Sequence, residues 1–417
     1  MGNLNVVPEA TNNLFLPSHV RLVTGPGVWM ESDATEQLAR VAALPGCVRA
    51  AGMPDLHPGR GFPVGAAFAF AGIVHPHLIG GDAGCGARAV VTSVRAPALD
   101  ALERRAGDAL AEPVVADCDP EALLRAVWSD GPRALADFDV LPEALRELAA
   151  SEPAAGEDGL PASGDVSRYL DAGFAGALGT IGGGNHFAEI SRVESVAERG
   201  RMARGAIVVL VHSGSRGLGG ALARHWGAGA LDEEAAIATF LGELAGACRY
   251  ARANRFLLAW KLLRALGAAR PGRLAGGFEV IHNDVRREIV DGAPAWVHRK
   301  GAAPAYTGAL TVVLGSRGAP SWVLEGLGEA SALSSVAHGA GRRMGRSEAR
   351  DKLKHRYRRA ELVRTKLGSR VVCDDTDLLY EEHPDAYKPI EPVVASLIDA
   401  GLAMPVASLS PVVTVKR

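Results

Sequence analysis

The sequence predicts an α+β protein from two patterns of apolar residues. Short runs rich in valine and isoleucine end in glycine or polar turns, which is typical of buried strands. Four such runs occupy residues 65–74, 205–214, 276–284 and 309–316. Helical periodicity occupies residues 120–127, 142–150, 233–266 and 348–366. Because the two patterns mix without a regular repeat, they favour mixed sheets over a doubly wound parallel sheet.

Length and charge leave the number of domains open and limit the kinds of partner. The chain has 417 residues, 48% of them hydrophobic, which is enough for one large domain or two. Its formal net charge is −2, from 45 basic and 47 acidic residues, so any attraction for nucleic acid must be local. The polar, proline-marked segment 152–166 predicts a mobile loop and not a domain linker, because strand-like runs continue on both sides.

Cysteine usage and hydropathy predict a cytoplasmic protein that has no membrane partner. The five cysteines form no CxxC pair, and an odd number argues against a disulfide framework. They are Cys47, Cys85, Cys118, Cys248 and Cys373. The longest apolar stretch, 62–74, is too short to span a bilayer, and the N-terminus lacks the basic-then-apolar pattern of a secretory signal.

Residues 80–86 read GGDAGCG and place an acid and a thiol three residues apart in a loop with almost no other side chains. Four of the seven residues are glycine, so the backbone can adopt unusual conformations and lets other groups approach closely. The loop is either a tight turn or a site that presents a hard oxygen, from Asp82, together with a soft sulfur, from Cys85.

Five histidines share one kind of position, the end of an apolar run beside glycine or a small polar residue. They are His186, His212, His282, His298 and His338. One such histidine is more often a hydrogen-bonded core residue than a ligand, but strand ends are where sites are built and imidazole is the commonest transition-metal ligand. With Asp82 and Cys85, these histidines are sufficient for a two-metal site.

Six motifs occur in an order that resembles the RtcB family of GTP-dependent RNA ligases. They are GGDAGCG, GTIGGGNHFAEI, HSGSRG, VIHND, HRKGA and HGAGRRM, and the match runs from about residue 55 to residue 416. The resemblance implies one catalytic domain over 1–417, with mixed sheets around a binuclear metal site at strand ends. It also implies that Cys85 bridges two manganese ions. Asp82 and His186 would complete one metal site, and His212 and His282 the other.

The resemblance further implies that His338 attacks the α-phosphate of GTP, so that pyrophosphate leaves and a covalent histidine–GMP forms. Taken alone, His338 is equally consistent with a turn histidine, and Glu189 and Lys416 with solvated charges. Within the family pattern, Glu189 would accept the N1 and N2 hydrogens of guanine. The positions that match nucleotide contacts are Asn185, Glu189, His282, Asn283, Ser316, Ser321, His338, Gly339, Ala340, Gly341 and Lys416.

The implied reaction joins RNA 3′-phosphate or 2′,3′-cyclic phosphate ends to 5′-hydroxyl ends, in RNA repair or tRNA splicing. Archease or a release-factor homologue is the implied protein partner. Two alternatives use the same residues: a binuclear metal phosphoesterase that acts on RNA termini, and a non-catalytic RNA-end binder that keeps its metals for structure. A guanylated His338 distinguishes the ligase from both.

Residues 342–370 carry twelve lysines or arginines against three acidic residues, in a chain that is nearly neutral. Such a run is either a solvated helix face or a phosphate-binding surface, and its position just after His338 favours the surface. The predicted RNA contacts are Arg216, Arg299, Lys300, Arg342, Arg346, Arg350 and Lys354.

Four positions depart from the usual family pattern. Ala83 stands for isoleucine, Arg317 for methionine and Gly345 for serine, and a basic residue is absent near Pro304. These changes leave the predicted metal ligands and His338 intact, so they bear on substrate preference and not on the chemistry. They resemble the branch of the family that is associated with release-factor homologues.

Overall fold

The computed structural model describes residues 16–95, 98–197 and 202–417. The strands in these ranges are β1 (Val20–Leu22), β2 (Cys47–His57), β3 (Val64–Phe70), β4 (Gly86–Thr92), β5 (Phe187–Val196), β6 (Ile207–Ser213), β7 (Leu274–Ile281), β8 (Asn283–Val290), β9 (Ala293–Lys300), β10 (Ala302–Pro304), β11 (Leu310–Val313), β12 (Ser321–Gly326), β13 (Ser335–Ala337), β14 (Arg370–Val372) and β15 (Ala403–Val415). The helices are α1 (Ser32–Ala42), α2 (Leu99–Ala111), α3 (Pro120–Asp130), α4 (Glu143–Ala150), α5 (Ala172–Ala177), α6 (Leu218–Trp226), α7 (Glu234–Leu266), α8 (Arg346–Lys354), α9 (Arg359–Leu362), α10 (Thr376–Glu381) and α11 (Ile390–Asp399).

The α+β prediction is confirmed, because the strands form mixed sheets that helices cover. The larger sheet has the order β11-β12-β15-β5-β6-β4-β7, with β14 paired in parallel to β15, and its terminal strands β7 and β11 approach each other. A smaller sheet has the order β1-β2-β3-β9-β8, and β10 pairs with β13. All four predicted strand runs contain strands, and the run 276–284 divides at His282 between β7 and β8.

The register of the larger sheet brings separate motifs to one end of it. Strand β4 lies between β6 and β7, with Gly86 opposite Ser213 on one side and Ile281 on the other. Phe187, at the start of β5, lies opposite His212 near the end of β6. One end of the larger sheet is therefore formed by the loops before β4 and β5, the last residues of β6 and the residues just after β7.

Helix α7 is buried over most of its length and lies in the core, as its sequence predicts. Its Leu258 and Leu262 belong to one apolar cluster with Val209 and Val211 of β6. The few polar side chains that it buries also position the site. Arg255 Nη1 donates 2.7 Å hydrogen bonds to the carbonyl oxygens of Gly84 and Ser213, in the two loops beside Cys85 and His212.

The predicted helix over 348–366 is wrong in extent. The segment contains α8 and the short α9, because Glu361 accepts a hydrogen bond from the Arg358 amide at 2.7 Å and so begins a second helix. The residues after α9 pair with β14 through an antiparallel bridge between Arg364 and Arg370, which is incompatible with helix.

The predicted loop 152–166 contains no helix or strand, but it is tied to the core. The Asp158 side chain is 6% exposed and pairs with Arg249 of α7 at 2.8 Å, and Trp128 donates to the Gly164 carbonyl at 2.8 Å. These buried contacts argue against the mobility that the composition suggests. No helix within the described ranges is long and apolar enough to cross a bilayer.

Candidate metal centre and nucleotide cavity

Five donor side chains converge at the edge of the larger sheet. Cys85 Sγ lies 3.4 Å from His186 Nε2 and 3.5 Å from His212 Nε2, and these three donors form a compact buried group. His282 Nε2 lies 3.3 Å from His212 Nε2, and Asp82 Oδ2 lies 3.0 Å from His186 Nε2. The structure thus brings together all five predicted metal ligands from four separate motifs.

Close contacts explain why two positions beside the donor side chains are glycine. Gly84 has φ +75°, and a Cβ there would lie 2.9 Å from the Cα of Cys248 in α7. Gly214, in the facing loop, lies so close to Asp82 that a Cβ would lie 2.2 Å from its Oδ1. The amide of Ser215 donates to the same oxygen at 3.1 Å. The small residues therefore allow the acid and the thiol to meet the histidines.

The pKa shifts of the donor side chains bear on whether they can bind a cation. Burial, with nearby positive groups, lowers the pKa of His212 and of His282 well below the ordinary value, so both imidazoles keep a lone pair free. Burial and then Asp82 raise the pKa of the Cys85 thiol. Burial alone would raise the pKa of Asp82, but His186 and Lys300 hold it below its usual range. One thiol, one carboxylate and three imidazoles fit a borderline or soft divalent metal, which would displace the thiol proton.

His338 is oriented by a buried carboxylate that the sequence analysis did not assign. Asp55 lies in β2, is 0% exposed, and its Oδ2 is 2.7 Å from His338 Nδ1. The His338 ring centroid lies 4.7 Å from that of His282. Because Asp55 holds the Nδ1 side of the imidazole, Nε2 is left as the atom available for reaction. The only sequence signal for Asp55 is a carboxylate inside an apolar run, AAGMPDL.

A buried lysine fixes the backbone on both sides of this carboxylate. Lys388 Nζ donates to the carbonyl oxygens of Pro54 at 3.1 Å and Leu56 at 2.7 Å. Burial lowers the pKa of Lys388 to about 8, although Asp55 and Glu31 oppose the shift. The Asp55–His338 pair is therefore supported by a chain segment that follows the basic region in sequence.

A cavity of about 370 Å³ extends from the five donors past His338. Nine predicted nucleotide contacts line it: Asn185, His282, Asn283, Ser316, His338, Gly339, Ala340, Gly341 and Lys416. The other two, Glu189 and Ser321, are buried and do not line it. Glu189 accepts hydrogen bonds from Ser191 and Thr414, and Ser321 Oγ accepts one from the Gly315 amide at 3.0 Å. Burial raises the pKa of Glu189 to about 7, which Thr414, Ser191 and Lys416 oppose.

The predicted RNA contacts lie in different surroundings. Lys300, Arg342 and Arg346 line the cavity. Arg299 is 0% exposed and pairs with Glu288 at 2.6 Å, so we leave it out of any RNA surface. Arg216 donates from Nε to Thr180 Oγ1 at 3.1 Å.

The basic segment is partly neutralised by acids that come later in the sequence. Lys354 pairs with Asp377 at 2.7 Å, and Arg350 lies 3.8 Å from Glu381, both acids being in α10. A count over 342–370 alone does not include these partners. The local excess of positive charge is therefore smaller than the sequence suggests.

His298, the fifth strand-end histidine, is not part of the donor cluster. It lies in β9, where its Nε2 accepts a hydrogen bond from the His75 amide at 2.9 Å and its Nδ1 lies 3.0 Å from the Trp296 carbonyl oxygen. Both ring nitrogens are thus used within the smaller sheet, as expected of a core histidine.

The fold is that of the RtcB family. The family model described as "tRNA-splicing ligase RtcB" matches residues 37–417, so the chain belongs to that family. It is 36% identical over 414 residues to the RNA-splicing ligase RtcB2 of Escherichia coli, covering 96% of this chain and 97% of that protein. It is 32% identical to the RNA-splicing ligase RtcB of Mycobacterium tuberculosis, covering 91% of this chain and 100% of that protein. The resemblance that the ordered motifs indicated is confirmed.

Proposed function

We propose that this chain is a GTP- and manganese-dependent RNA ligase. It joins RNA ends that carry a 3′-phosphate or a 2′,3′-cyclic phosphate to 5′-hydroxyl ends, in RNA repair or tRNA splicing in the cytoplasm. The observation that carries the proposal is the oriented imidazole of His338, held by buried Asp55 and facing the cavity beside five metal donors. The names of the relatives, all splicing ligases, support the same reaction class.

The chain's own residues account for the first step. His338 Nε2 forms a bond to the α-phosphorus of GTP, and the bond to the pyrophosphate oxygen breaks. Asp55 accepts a hydrogen bond from the Nδ1–H group of His338 and stabilises the positive charge that develops on the ring. The loop Gly339–Gly341 lines the cavity beside the ring, where its small residues allow close approach of a phosphate.

The second and third steps transfer GMP and release it. The 3′-phosphate of one RNA takes GMP from His338, and the 5′-hydroxyl of the other then attacks this activated phosphate and displaces GMP. A cyclic end must first take up water to give a 3′-phosphate. A neutral imidazole is a suitable leaving group and nucleophile near pH 7.

Asp82, Cys85, His186, His212 and His282 would hold two manganese ions, with Cys85 between them. When bound, such ions neutralise triphosphate charge. The donor set also suits zinc, because divalent affinity generally rises from manganese to zinc. Manganese use therefore depends on site geometry and metal availability.

Incubation with radiolabelled GTP and MnCl₂, followed by a denaturing gel, tests the proposal. We expect labelled protein from GTP and much less from ATP, because adenine lacks the N1 and N2 hydrogens that the resemblance assigns to Glu189. The phosphoesterase alternative predicts loss of terminal phosphate from RNA without any labelled protein. The RNA-end binder predicts neither product.

Asparagine in place of Asp55 is expected to slow GTP labelling by about 10²- to 10⁴-fold. The amide is close in size but cannot stabilise a positive imidazole. Metal content and melting temperature should change little, because Asp55 is not among the five donors. Labelling at the wild-type rate would show that the carboxylate does not act through His338.

Charge reversal at Arg350, Lys354 and Arg358 is expected to weaken RNA binding and leave GTP labelling intact. Each lost phosphate contact should reduce the logarithmic salt slope of RNA affinity by about 0.7 to 0.9. The matched control reverses three exposed arginines elsewhere: Arg104, Arg105 and Arg125. Equal effects of the two triple variants would mean that net charge matters and that this surface does not.

A further inference from the structure

Trp29 is a large apolar side chain that the fold leaves largely uncovered. It lies between β1 and α1, and the residue is 56% exposed. It lines a surface depression of about 410 Å³ together with Gly27, Arg343, Lys388 and Pro389. Exposure of one apolar residue is ordinary, but an indole in a depression beside basic side chains offers a ligand both stacking area and positive charge.

This depression and the nucleotide cavity lie on opposite faces of one pair of extended segments. Arg342 and Tyr387 pair through an antiparallel bridge, and both line the nucleotide cavity. The next residue along each segment, Arg343 or Lys388, lines the depression instead, because successive side chains of extended chains point to opposite faces. The pair follows His338 closely in sequence, so an RNA strand that reaches the cavity can continue across it into the depression.

Arg343 is exposed, and among the described residues it forms no ion pair. Every other lysine or arginine between residues 342 and 356 pairs with an acid: Arg342 and Arg346 with Glu382, Arg350 with Asp351, Lys352 with Glu348, Lys354 with Asp377 and Arg356 with Asp385. Arg343 Nε donates to the Asp385 carbonyl oxygen at 2.9 Å, and the two terminal nitrogens have no partner within the described ranges. A guanidinium that is held at Nε and has free donors is suited to bind a phosphate.

Lys388 contributes little free charge to the depression. Its Nζ donates to the backbone carbonyl oxygens on either side of Asp55, at 3.1 and 2.7 Å, and the residue is 6% exposed. The charge of Glu31 also acts on it. The groups that remain for a ligand are the indole of Trp29 and the guanidinium of Arg343.

We propose that Trp29 and Arg343 form a subsite for one nucleotide of the RNA substrate, in which the base stacks on the indole and Arg343 donates to the adjoining phosphate. Aromatic stacking combined with basic contacts to the backbone is how proteins hold single-stranded RNA without reading its sequence. The unneutralised cation beside the aromatic wall favours RNA over an apolar peptide. The inference rests on the proposed function and adds two residues outside the GTP and metal sites.

The test measures the affinity of the full chain for a short single-stranded RNA that has a 5′-hydroxyl and a 3′-phosphate, with MnCl₂ but without GTP, so that no sealing occurs. A second oligonucleotide of equal length carries abasic riboses and therefore keeps the phosphates without the bases. The variants are Trp29→Ala, Trp29→Phe and Arg343→Met. The controls are Ile289→Ala, at an apolar residue that is 73% exposed, and Arg104→Met, at an exposed arginine.

Trp29→Ala should weaken binding of the base-containing RNA by about 5- to 100-fold and leave binding of the abasic oligonucleotide unchanged. Trp29→Phe should keep part of the affinity, because a phenyl ring also stacks. Arg343→Met should weaken both oligonucleotides and reduce the logarithmic salt slope by about 0.7, as expected for one phosphate contact on a single strand. Both controls should bind like wild type.

GTP labelling, measured in parallel, should equal that of wild type in every variant, because neither Trp29 nor Arg343 lines the nucleotide cavity. Wild-type affinity of Trp29→Ala for the base-containing RNA would overturn the inference, as would equal weakening of both oligonucleotides by this variant. An unchanged salt slope in Arg343→Met would also overturn it. With wild type labelled by GTP, these results contradict the inference alone. If wild type is neither labelled by GTP nor binds RNA, the proposed function fails, and the inference fails with it.

Discussion

Alanine in place of His338 is expected to abolish covalent labelling by GTP. The imidazole is the only group in the proposed first step that forms a bond to phosphorus, so no partial activity should remain. In wild type the label should be labile in acid and stable in base, as a P–N bond is. The measurement is retained radioactivity on a denaturing gel after acid or base treatment.

The control for this variant is His225→Ala, which removes an exposed histidine on α6. It should label normally. Metal content of His338→Ala should equal that of wild type, since His338 is not one of the five donors. Undiminished label on His338→Ala would place the nucleophile elsewhere.

Alanine in place of Cys85 is expected to remove both metal ions, whereas Asp82→Ala should remove mainly one. Cys85 Sγ is close to both His186 and His212, while Asp82 contacts only the His186 side. Cys85→Ser should restore little, because a serine hydroxyl is far harder to ionise than a thiol with a pKa of about 8.5. Elemental analysis of the folded variants measures the metal content directly.

The control for the metal prediction is Cys47→Ala, which removes a partly exposed thiol in β2. Its metal content should equal that of wild type. GTP labelling should fail in Cys85→Ala and persist in Cys47→Ala. Two ions per chain and normal labelling in Cys85→Ala would leave the proposed centre without its bridging ligand.

The sequence predicted which side chains would lie together because they occur in a glycine-rich loop or at the ends of strand-like runs, and the resemblance to the family implied their role as metal donors. Their convergence depends on the order of strands in the sheet. Strand β4 lies between β6 and β7, although it precedes both β5 and β6 in the chain. Local patterns do not determine such order. The ordered family motifs supplied what periodicity could not.

Other features depend on contacts between distant segments. Asp55 and His338 are 283 residues apart, so no local spacing reveals the pair. Arg299 is buried because it pairs with Glu288 in the neighbouring strand β8. A count of charges in the sequence predicts instead that Arg299 lies at the surface. Arg317 departs from the family pattern in sequence, but only the structure shows that its Nη1 lacks a hydrogen-bond partner among the described residues while Glu382 binds Arg342.

RNA sealing tests the central claim most directly. An RNA with a 2′,3′-cyclic phosphate end and a second RNA with a labelled 5′-hydroxyl end are incubated with wild-type protein, GTP and MnCl₂. We predict a joined RNA that forms only when GTP is present and whose junction phosphate comes from the 3′ end. Loss of the terminal phosphate without joining, or joining that does not require GTP, would contradict the account.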